Sequence, residues 1–147
     1  SLRETALREA YEEIGVTLQN LEIMGRLNDL PTITGYCVRP FVAFYHGEIP
    51  IVYTRNPIEV EEIVEIPLSF LRSLDHFEEK HHRINGKVEF ITLHFDFHKR
   101  SKNYHVWGAS AHILADFLKI GFGEVKTSST YSRPSIEKIL EYQKKNE

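Results

Sequence analysis

Apolar and polar positions near the start of the chain repeat with the period of an α-helix. At about 100° per residue, the apolar side chains of residues 2–14 fall on one side of the segment. They are Leu2, Ala6, Leu7, Ala10 and Ile14. Gly15 follows directly, and glycine often ends a helix in the left-handed conformation. The pattern therefore predicts a helix over Leu2–Ile14.

The next part of the chain has the composition of strands and turns. We predict strands over Leu21–Gly25, Tyr36–Tyr45 and Val60–Ile66. Pro40 lies within the second of these and indicates an edge strand or a bulge, because proline lacks the amide proton that a ladder needs. The turn residues of Asn28–Gly35 predict a loop. Pro67 is predicted to begin a short helix that ends at Leu71.

The clearest pattern is the sequence INGKVEFITLHFDFH, in which Asn85-Gly86 is typical of two-residue hairpin turns. After this turn, every second residue is predicted to share a face of a strand, with Glu89, Ile91, Leu93, Phe95 and Phe97 on one face and Phe90, Thr92, His94, Asp96 and His98 on the other. An amphipathic helix is predicted over Val106–Ile120, with inward side chains at Ile113, Leu114, Phe117 and Leu118. A terminal helix is predicted over Pro134–Lys144.

Helices and antiparallel strands together predict an α/β or α+β protein with a mixed sheet. The length of 147 residues is enough for one domain with a sizeable core. No linker divides the sequence, so we predict a single domain over residues 1–147. Within it, residues 124–147 are predicted to form a C-terminal tail and helix.

Charge and composition narrow the classes of function. The net charge of -3 provides no general attraction to nucleic acid or to an anionic membrane. No apolar run approaches the roughly 20 residues of a transmembrane helix. The single cysteine, Cys37, excludes an internal disulfide and favours the cytoplasm or another reducing compartment. We expect it to be a small buried hydrophobe. A homodimer through a sheet edge or the terminal helix is compatible with the sequence.

Three carboxylates lie close together on the first predicted helix, in the sequence LREAYEEIG. Glu9 and Glu13 are four residues apart and share a face, where a like-charge pair costs roughly 0.2–0.5 kcal/mol. A divalent cation such as Mg²⁺ reverses this repulsion, because it prefers oxygen ligands. Arg8 is placed to pair with Glu4 or Glu12 and hold a carboxylate in position. The alternative is a solvated acidic helix face.

The string REAYEEIGV resembles the second half of the Nudix box, G-x5-E-x7-R-E-U-x-E-E-x-G-U, in which U is aliphatic. The residues at their family positions are Arg8, Glu9, Glu12, Glu13, Gly15 and Val16. Ala10 occupies the first aliphatic position and is smaller than the pattern asks. The resemblance implies a Nudix-type α/β/α sandwich that binds Mg²⁺ or Mn²⁺ and hydrolyses nucleoside diphosphate derivatives. It implies that Glu9, Glu12 and Glu13 ligate the metal and that Arg8 orients them.

The first half of the box lies outside this chain. Its glutamate would stand eight residues before Arg8, immediately before Ser1. We therefore expect a Nudix domain that lacks its N-terminal strands, with Ser1 at a processing or cloning boundary. The missing half also keeps open a different class, a Nudix-like module that binds a nucleotide or a protein without turnover. The intact REAYEEIGV opposes that alternative, because a binding module has no use for clustered carboxylates.

Later segments resemble the coenzyme A pyrophosphatase branch of the family. The resemblance extends over roughly residues 4–120, and its most specific parts are the sequences LPTITG and WGASA. It implies hydrolysis of the diphosphate of coenzyme A or its thioesters. The products would be adenosine 3′,5′-bisphosphate and 4′-phosphopantetheine or its acyl form. The alternative substrate on the same fold is ADP-ribose or another nucleoside diphosphate derivative.

Other polar residues are candidates for the remaining roles. A carboxylate near the metal serves as general base, and the candidates are Glu9, Glu61, Glu62 and Glu65. Thr32, Thr34 and Gly35 are candidates for substrate contact, because glycine permits close backbone approach; the alternative is an ordinary turn. A transition-metal set is also conceivable on the predicted strand, at His94, Asp96 and His98. A polar, solvent-facing strand surface explains those three residues more simply.

Overall fold

The computed structural model describes residues 1–32, 35–84 and 88–124. Its elements, in chain order, are α1 (Leu2–Ile14), β1 (Leu21–Arg26), β2 (Leu30–Pro31), β3 (Cys37–Val38), β4 (Phe41–Tyr45), α2 (Leu68–Arg72), β5 (Phe77–Ile84), β6 (Val88–Lys99), β7 (Lys102–Trp107) and α3 (Gly108–Phe122). Helices accompany small antiparallel sheets, which confirms the predicted mixed α/β class. No helix in the described ranges has the length and apolar character needed to cross a membrane.

The chain groups into two compact units that alternate along the sequence. The first unit comprises Ser1–Leu27 and Arg39–Glu65. The second comprises Asn28–Val38 and the described part of Ile66–Glu147. The single domain over residues 1–147 stays a prediction. The predicted tail and helix of residues 124–147 lie outside the described residues, apart from Glu124.

The first unit begins with α1, whose bounds are those predicted. A capping box starts the helix: the Ser1 hydroxyl accepts a hydrogen bond from the Glu4 amide, and the Glu4 carboxylate accepts one from the Ser1 amino group. None of the residues of α1 is buried. The β1–β4 hairpin follows in the same unit, with Leu21 paired to Tyr45 and an irregularity between Ile23 and Gly25.

Two strand predictions in this part of the chain need correction. The predicted strand over Tyr36–Tyr45 is divided into β3 and β4, because Pro40 interrupts it as expected. The predicted strand over Val60–Ile66 is wrong. A turn precedes it, in which the Val60 amide donates to the Asn56 carbonyl at 2.9 Å. An apolar run forms a strand only where a neighbour completes its hydrogen bonds, and no described strand pairs with this one.

The second unit is built on the antiparallel sheet β5–β6–β7. The alternation predicted for β6 is confirmed, because Ile91, Leu93, Phe95 and Phe97 are all buried. These side chains, except Phe97, form one core cluster with Leu71 of α2 and with Ala111, Ala115 and Leu118 of α3. Over residues 91–98, the opposite face of β6 therefore carries Thr92, His94, Asp96 and His98. The turn at Asn85-Gly86 lies outside the described residues, but β5 and β6 pair as the hairpin predicts.

Three further predictions concern the second unit. The helix predicted over Val106–Ile120 begins only at Gly108, because Val106 belongs to β7 and pairs with Phe95. The short helix predicted after Pro67 is confirmed as α2, although it extends to Arg72. Cys37 is exposed rather than buried, since β2 and β3 form only a two-residue ladder around it. The terminal helix predicted over Pro134–Lys144 lies outside the described residues.

Candidate metal-binding helix

Arg8 joins two of the three carboxylates on α1. Its guanidinium donates one hydrogen bond to Glu9 Oε1 and a second to Glu12 Oε2. About half of each side chain is exposed, at 53% for Arg8 and 45% for both glutamates. Water therefore screens these ion pairs, and their contribution to the free energy of folding is small. The predicted partner Glu12 is confirmed, whereas the predicted alternative Glu4 pairs with the N-terminus.

Glu13 differs from the other two carboxylates. In the parts of the chain that the structure describes, no side chain pairs with its carboxylate. Glu13 is half-buried, while its neighbour Glu12 is exposed. Arg8 occupies one oxygen each of Glu9 and Glu12, whereas both oxygens of Glu13 remain available to a cation. The three carboxylates and one guanidinium leave a formal charge of −2 on this face.

The backbone at the end of α1 is held by a loop of the same unit. The Thr54 amide donates to the Ile14 carbonyl at 3.0 Å, and the Asn56 amide donates to the Glu13 carbonyl at 2.9 Å. These carbonyls belong to the last turn of the helix, which lacks intrahelical partners. The loop therefore fixes the direction in which Glu13 leaves the helix. Asn56-Pro57 is a turn dipeptide that could have pointed to this loop, although not to its contact with α1.

Gly15 is required at the end of α1 for two independent reasons. Its φ of 72° lies in the left-handed region, which side chains disfavour. A Cβ atom at this position would also stand 2.6 Å from Thr54 Cβ and 2.9 Å from the Thr54 amide nitrogen. The next residue, Val16, is buried at 6% exposure. Gly15 therefore allows the end of α1 to approach Thr54 closely, and the chain continues directly into a buried residue.

The chemistry of α1 suits a hard divalent ion, although its side chains have not converged on one point. Carboxylate oxygens are the ligands that Mg²⁺ and Mn²⁺ prefer. Within residues 1–32, 35–84 and 88–124, no three His, Cys, Asp or Glu side chains are already arranged to hold a metal. Ligation by Glu9, Glu12 and Glu13 together therefore requires new side-chain rotamers. Glu13 has no described partner to give up. Glu9 and Glu12 would either leave Arg8 for the ion, or keep one oxygen on Arg8 and bind the ion with the other.

The candidates for the general base differ in their surroundings. Glu61, Glu62 and Glu65 are all exposed. Glu65 accepts a hydrogen bond of 3.1 Å from the Tyr53 hydroxyl. Partial burial raises the pKa of Tyr53, and the hydrogen bond to Glu65 raises it further. Tyr53 therefore stays protonated and keeps donating to Glu65.

The same unit also contains a recess that the sequence did not predict. Its volume is about 610 Å³, and its lining includes Thr17, Asn20, Tyr45, His46 and Glu48. Thr17 follows α1 by three residues, so the recess begins just beyond the end of the acidic helix. Recesses of this size accommodate small organic ligands.

The predicted substrate loop lies in the second unit. The Thr32 hydroxyl donates to the Tyr36 carbonyl at 3.1 Å and accepts from the Tyr36 amide at 3.2 Å. Gly35 has a φ of 84°, and its amide donates to the Thr32 carbonyl at 3.1 Å. Hydrogen bonds thus join Thr32 to Gly35 and to Tyr36, while Thr34 lies outside the described residues. Their contact with substrate stays a prediction.

The sequence of the chain was also compared with those of known proteins. No family model matches the chain. The chain is 31% identical over 122 residues to proteins of Salmonella paratyphi B and Salmonella newport, each named "Uncharacterized Nudix hydrolase NudL". The aligned region covers 82% of this chain and 60% of each Salmonella protein. This similarity supports membership of the Nudix family. The chain spans less than two thirds of the length of these relatives.

Proposed function

We propose that this chain carries the metal-binding helix of a Nudix pyrophosphohydrolase that acts on coenzyme A or acyl-coenzyme A. The observation that carries the proposal is α1 itself. Its carboxylates Glu9, Glu12 and Glu13 stand on a helix whose end is held in place by Gly15 and Thr54. The similarity to proteins named Nudix hydrolase supports the reaction class. The coenzyme A substrate rests on the resemblance of the LPTITG and WGASA segments.

Glu9, Glu12 and Glu13 would hold Mg²⁺ or Mn²⁺, with Arg8 restraining the first two. When bound, the ion supplies neutralisation of the diphosphate oxygens and lowers the pKa of a water molecule. Arg8 keeps Glu9 and Glu12 on one side of the helix, since its guanidinium donates to both. The loop at Thr54 and Asn56 keeps the last turn of α1 in register, so Glu13 is presented from a fixed backbone.

Two roles in the reaction remain, removal of a proton from the attacking water and binding of the substrate. We assign proton removal from the attacking water to Glu9, Glu61, Glu62 or Glu65. The recess beyond the end of α1 is our candidate binding site for part of the substrate, because it lies in the same unit as the carboxylates.

The direct test is chromatographic detection of products after incubation with coenzyme A and Mg²⁺ or Mn²⁺. We expect adenosine 3′,5′-bisphosphate and 4′-phosphopantetheine to be released by the full-length protein. ADP-ribose is assayed in parallel, and its preferential hydrolysis would keep the pyrophosphohydrolase and overturn the coenzyme A substrate. Binding of metal without turnover of either compound would support the alternative, a nucleotide-binding module.

A further inference from the structure

The sheet face opposite the core carries the polar residues that were considered as a metal set. His94, Asp96 and His98 do lie on one face of β6, but the structure does not bring them together as ligands. His98 Nδ1 is hydrogen-bonded to Asn103 Oδ1, whereas His94 contacts His105. His105 belongs to β7 and pairs directly with Asp96. The sequence pattern could not reveal this partner, because the register of β7 against β6 decides it.

These contacts belong to a continuous hydrogen-bonded chain across three strands. His82 Nε2 of β5 lies 2.8 Å from Thr92 Oγ1, which lies 2.8 Å from His94 Nε2. His94 Nδ1 lies 2.9 Å from His105 Nε2. His105 Nδ1 lies 2.5 Å from Asp96 Oδ1, which ends the chain. All these residues share the polar face of the sheet, as the pairing of the strands requires.

Asp96 determines the direction of every hydrogen bond in the chain. The hydrogen bond from His105 lowers the pKa of Asp96, so its carboxylate is ionised and can only accept. His105 therefore donates from Nδ1, and its Nε2 accepts from His94 Nδ1. His94 Nε2 then accepts from the Thr92 hydroxyl, whose oxygen accepts from His82 Nε2. With all three histidines neutral, each link holds one proton.

The ring at the centre of this chain, His94, is the buried one of its three histidines. His94 is only 8% exposed, and burial lowers its pKa. Lys80 on β5 and His105 on β7 lower the pKa further, while Glu78 on β5 and Asp96 oppose them. A cation on His105, by contrast, would stand against the Asp96 carboxylate at 2.5 Å. Burial thus opposes a charge on His94, whereas the Asp96 carboxylate lies beside His105 and could balance one.

We propose that this chain is a proton wire that moves one charge across the sheet, from His82 to the His105–Asp96 pair, without charging His94. When His82 gains a second ring proton, it passes its Nε2 proton to Thr92. Thr92 passes its hydroxyl proton to His94 Nε2, and His94 passes its Nδ1 proton to His105 Nε2. Each bond that loses a proton is matched by one that gains it. In the final state the three links from His82 to His105 are reversed, while His105 Nδ1 still donates to Asp96. His82 and His94 are in their other neutral tautomers, and His105 is the cation.

The first test is nitrogen-15 NMR of the histidine rings in the intact protein. At neutral pH we expect the proton on Nε2 of His82 and on Nδ1 of both His94 and His105. As the pH falls, all three rings should change at one common midpoint, with His105 becoming the cation and the other two exchanging tautomers. Three separate midpoints, or a cation on His94, would overturn the proposal. His98 on the same face is the internal control, because its partner is Asn103.

A pair of variants tests the central link. Thr92→Val removes the hydroxyl with little change of shape, and it should release His82 from the common midpoint. Thr92→Ser keeps a hydroxyl and should restore the common midpoint. A common midpoint that survives in Thr92→Val would show that the rings respond without the wire. If Thr92→Val does not fold, the neutral-pH tautomers of the unmodified protein still decide, since the opposite tautomer at His94 contradicts the proposed direction.

Discussion

The acidic face of α1 and the histidine face of β5–β6–β7 are both clusters of titratable side chains, but they satisfy their polar groups differently. On α1, one guanidinium pairs with two half-exposed carboxylates, and none of the described side chains pairs with the carboxylate of Glu13. On the sheet, each member of the chain from His82 to Asp96 hydrogen-bonds to the next. The acidic face thus has capacity for an added cation, whereas the histidine face is complete with its own protons.

The two clusters also differ in what brings their titratable side chains together. The glutamates of α1 are spaced by the helical repeat, so their neighbours are known from local sequence. The histidine chain depends on two strand pairings, β5 with β6 and β6 with β7. Perturbing α1 should therefore alter ligand binding, while perturbing the sheet should alter the response to pH.

The largest expected effect is the loss of metal-dependent stabilisation in Glu13→Gln. A metal present at about 100 times its dissociation constant stabilises the folded state by about 2.7 kcal/mol. If Glu13 is a ligand, thermal unfolding with and without Mn²⁺ should show this gain in the unmodified protein and little of it in Glu13→Gln. The matched control is Glu48→Gln, an exposed acidic residue of the same unit. An equal metal-dependent shift in Glu13→Gln and Glu48→Gln would exclude the role of Glu13.

The next effect concerns the support of the acidic helix. Gly15→Ala should lower the free energy of unfolding by about 1–3 kcal/mol, because a left-handed non-glycine residue is strained and its Cβ would meet Thr54 at 2.6 Å. Gly25→Ala is the control, since a Cβ there has no atom within 4 Å. Its effect should stay within about 0.5 kcal/mol. Urea unfolding of the two variants measures the difference, and equal losses would show that the contact with Thr54 is unimportant.

An element of the fold could be predicted when the residues that specify it are close together in the sequence. The bounds of α1 and the buried face of β6 were predictable, because the helical period and the strand alternation are written in consecutive residues. The strand expected over Val60–Ile66 failed because a strand also needs a partner, which its own sequence does not specify. The start of α3 was misplaced for a similar reason, since β7 pairing extends through Trp107.

The candidate sites show the same division. The motif REAYEEIGV identified the carboxylates and the helix-ending glycine, and the i,i+4 pair of Arg8 and Glu12 follows from the helix alone. The contact of Gly15 with Thr54 joins residues far apart in sequence, so no local pattern could reveal it. His105 was missed as the partner of His94 for the same reason.

The smallest expected effect is the dependence of stability on pH that His94 confers. Burial lowers the pKa of His94 below its ordinary value of 6.5, so the unfolded chain takes up a proton more readily than the folded one. The stability due to neutral His94 is therefore fully present above about pH 6.5 and is lost as the pH falls toward the folded pKa. His94→Gln should weaken this dependence, as measured by urea unfolding at several pH values from 7.5 to 5.

His98→Gln is the matched control for that series, because His98 lies on the same face of β6 but is exposed. It should retain the pH dependence of the unmodified protein. A larger change in the pH dependence of stability for His98→Gln than for His94→Gln would mean that the exposed ring governs the response. In that case burial at the centre of the chain would not be what distinguishes the histidine face from the carboxylates of α1, none of which is buried.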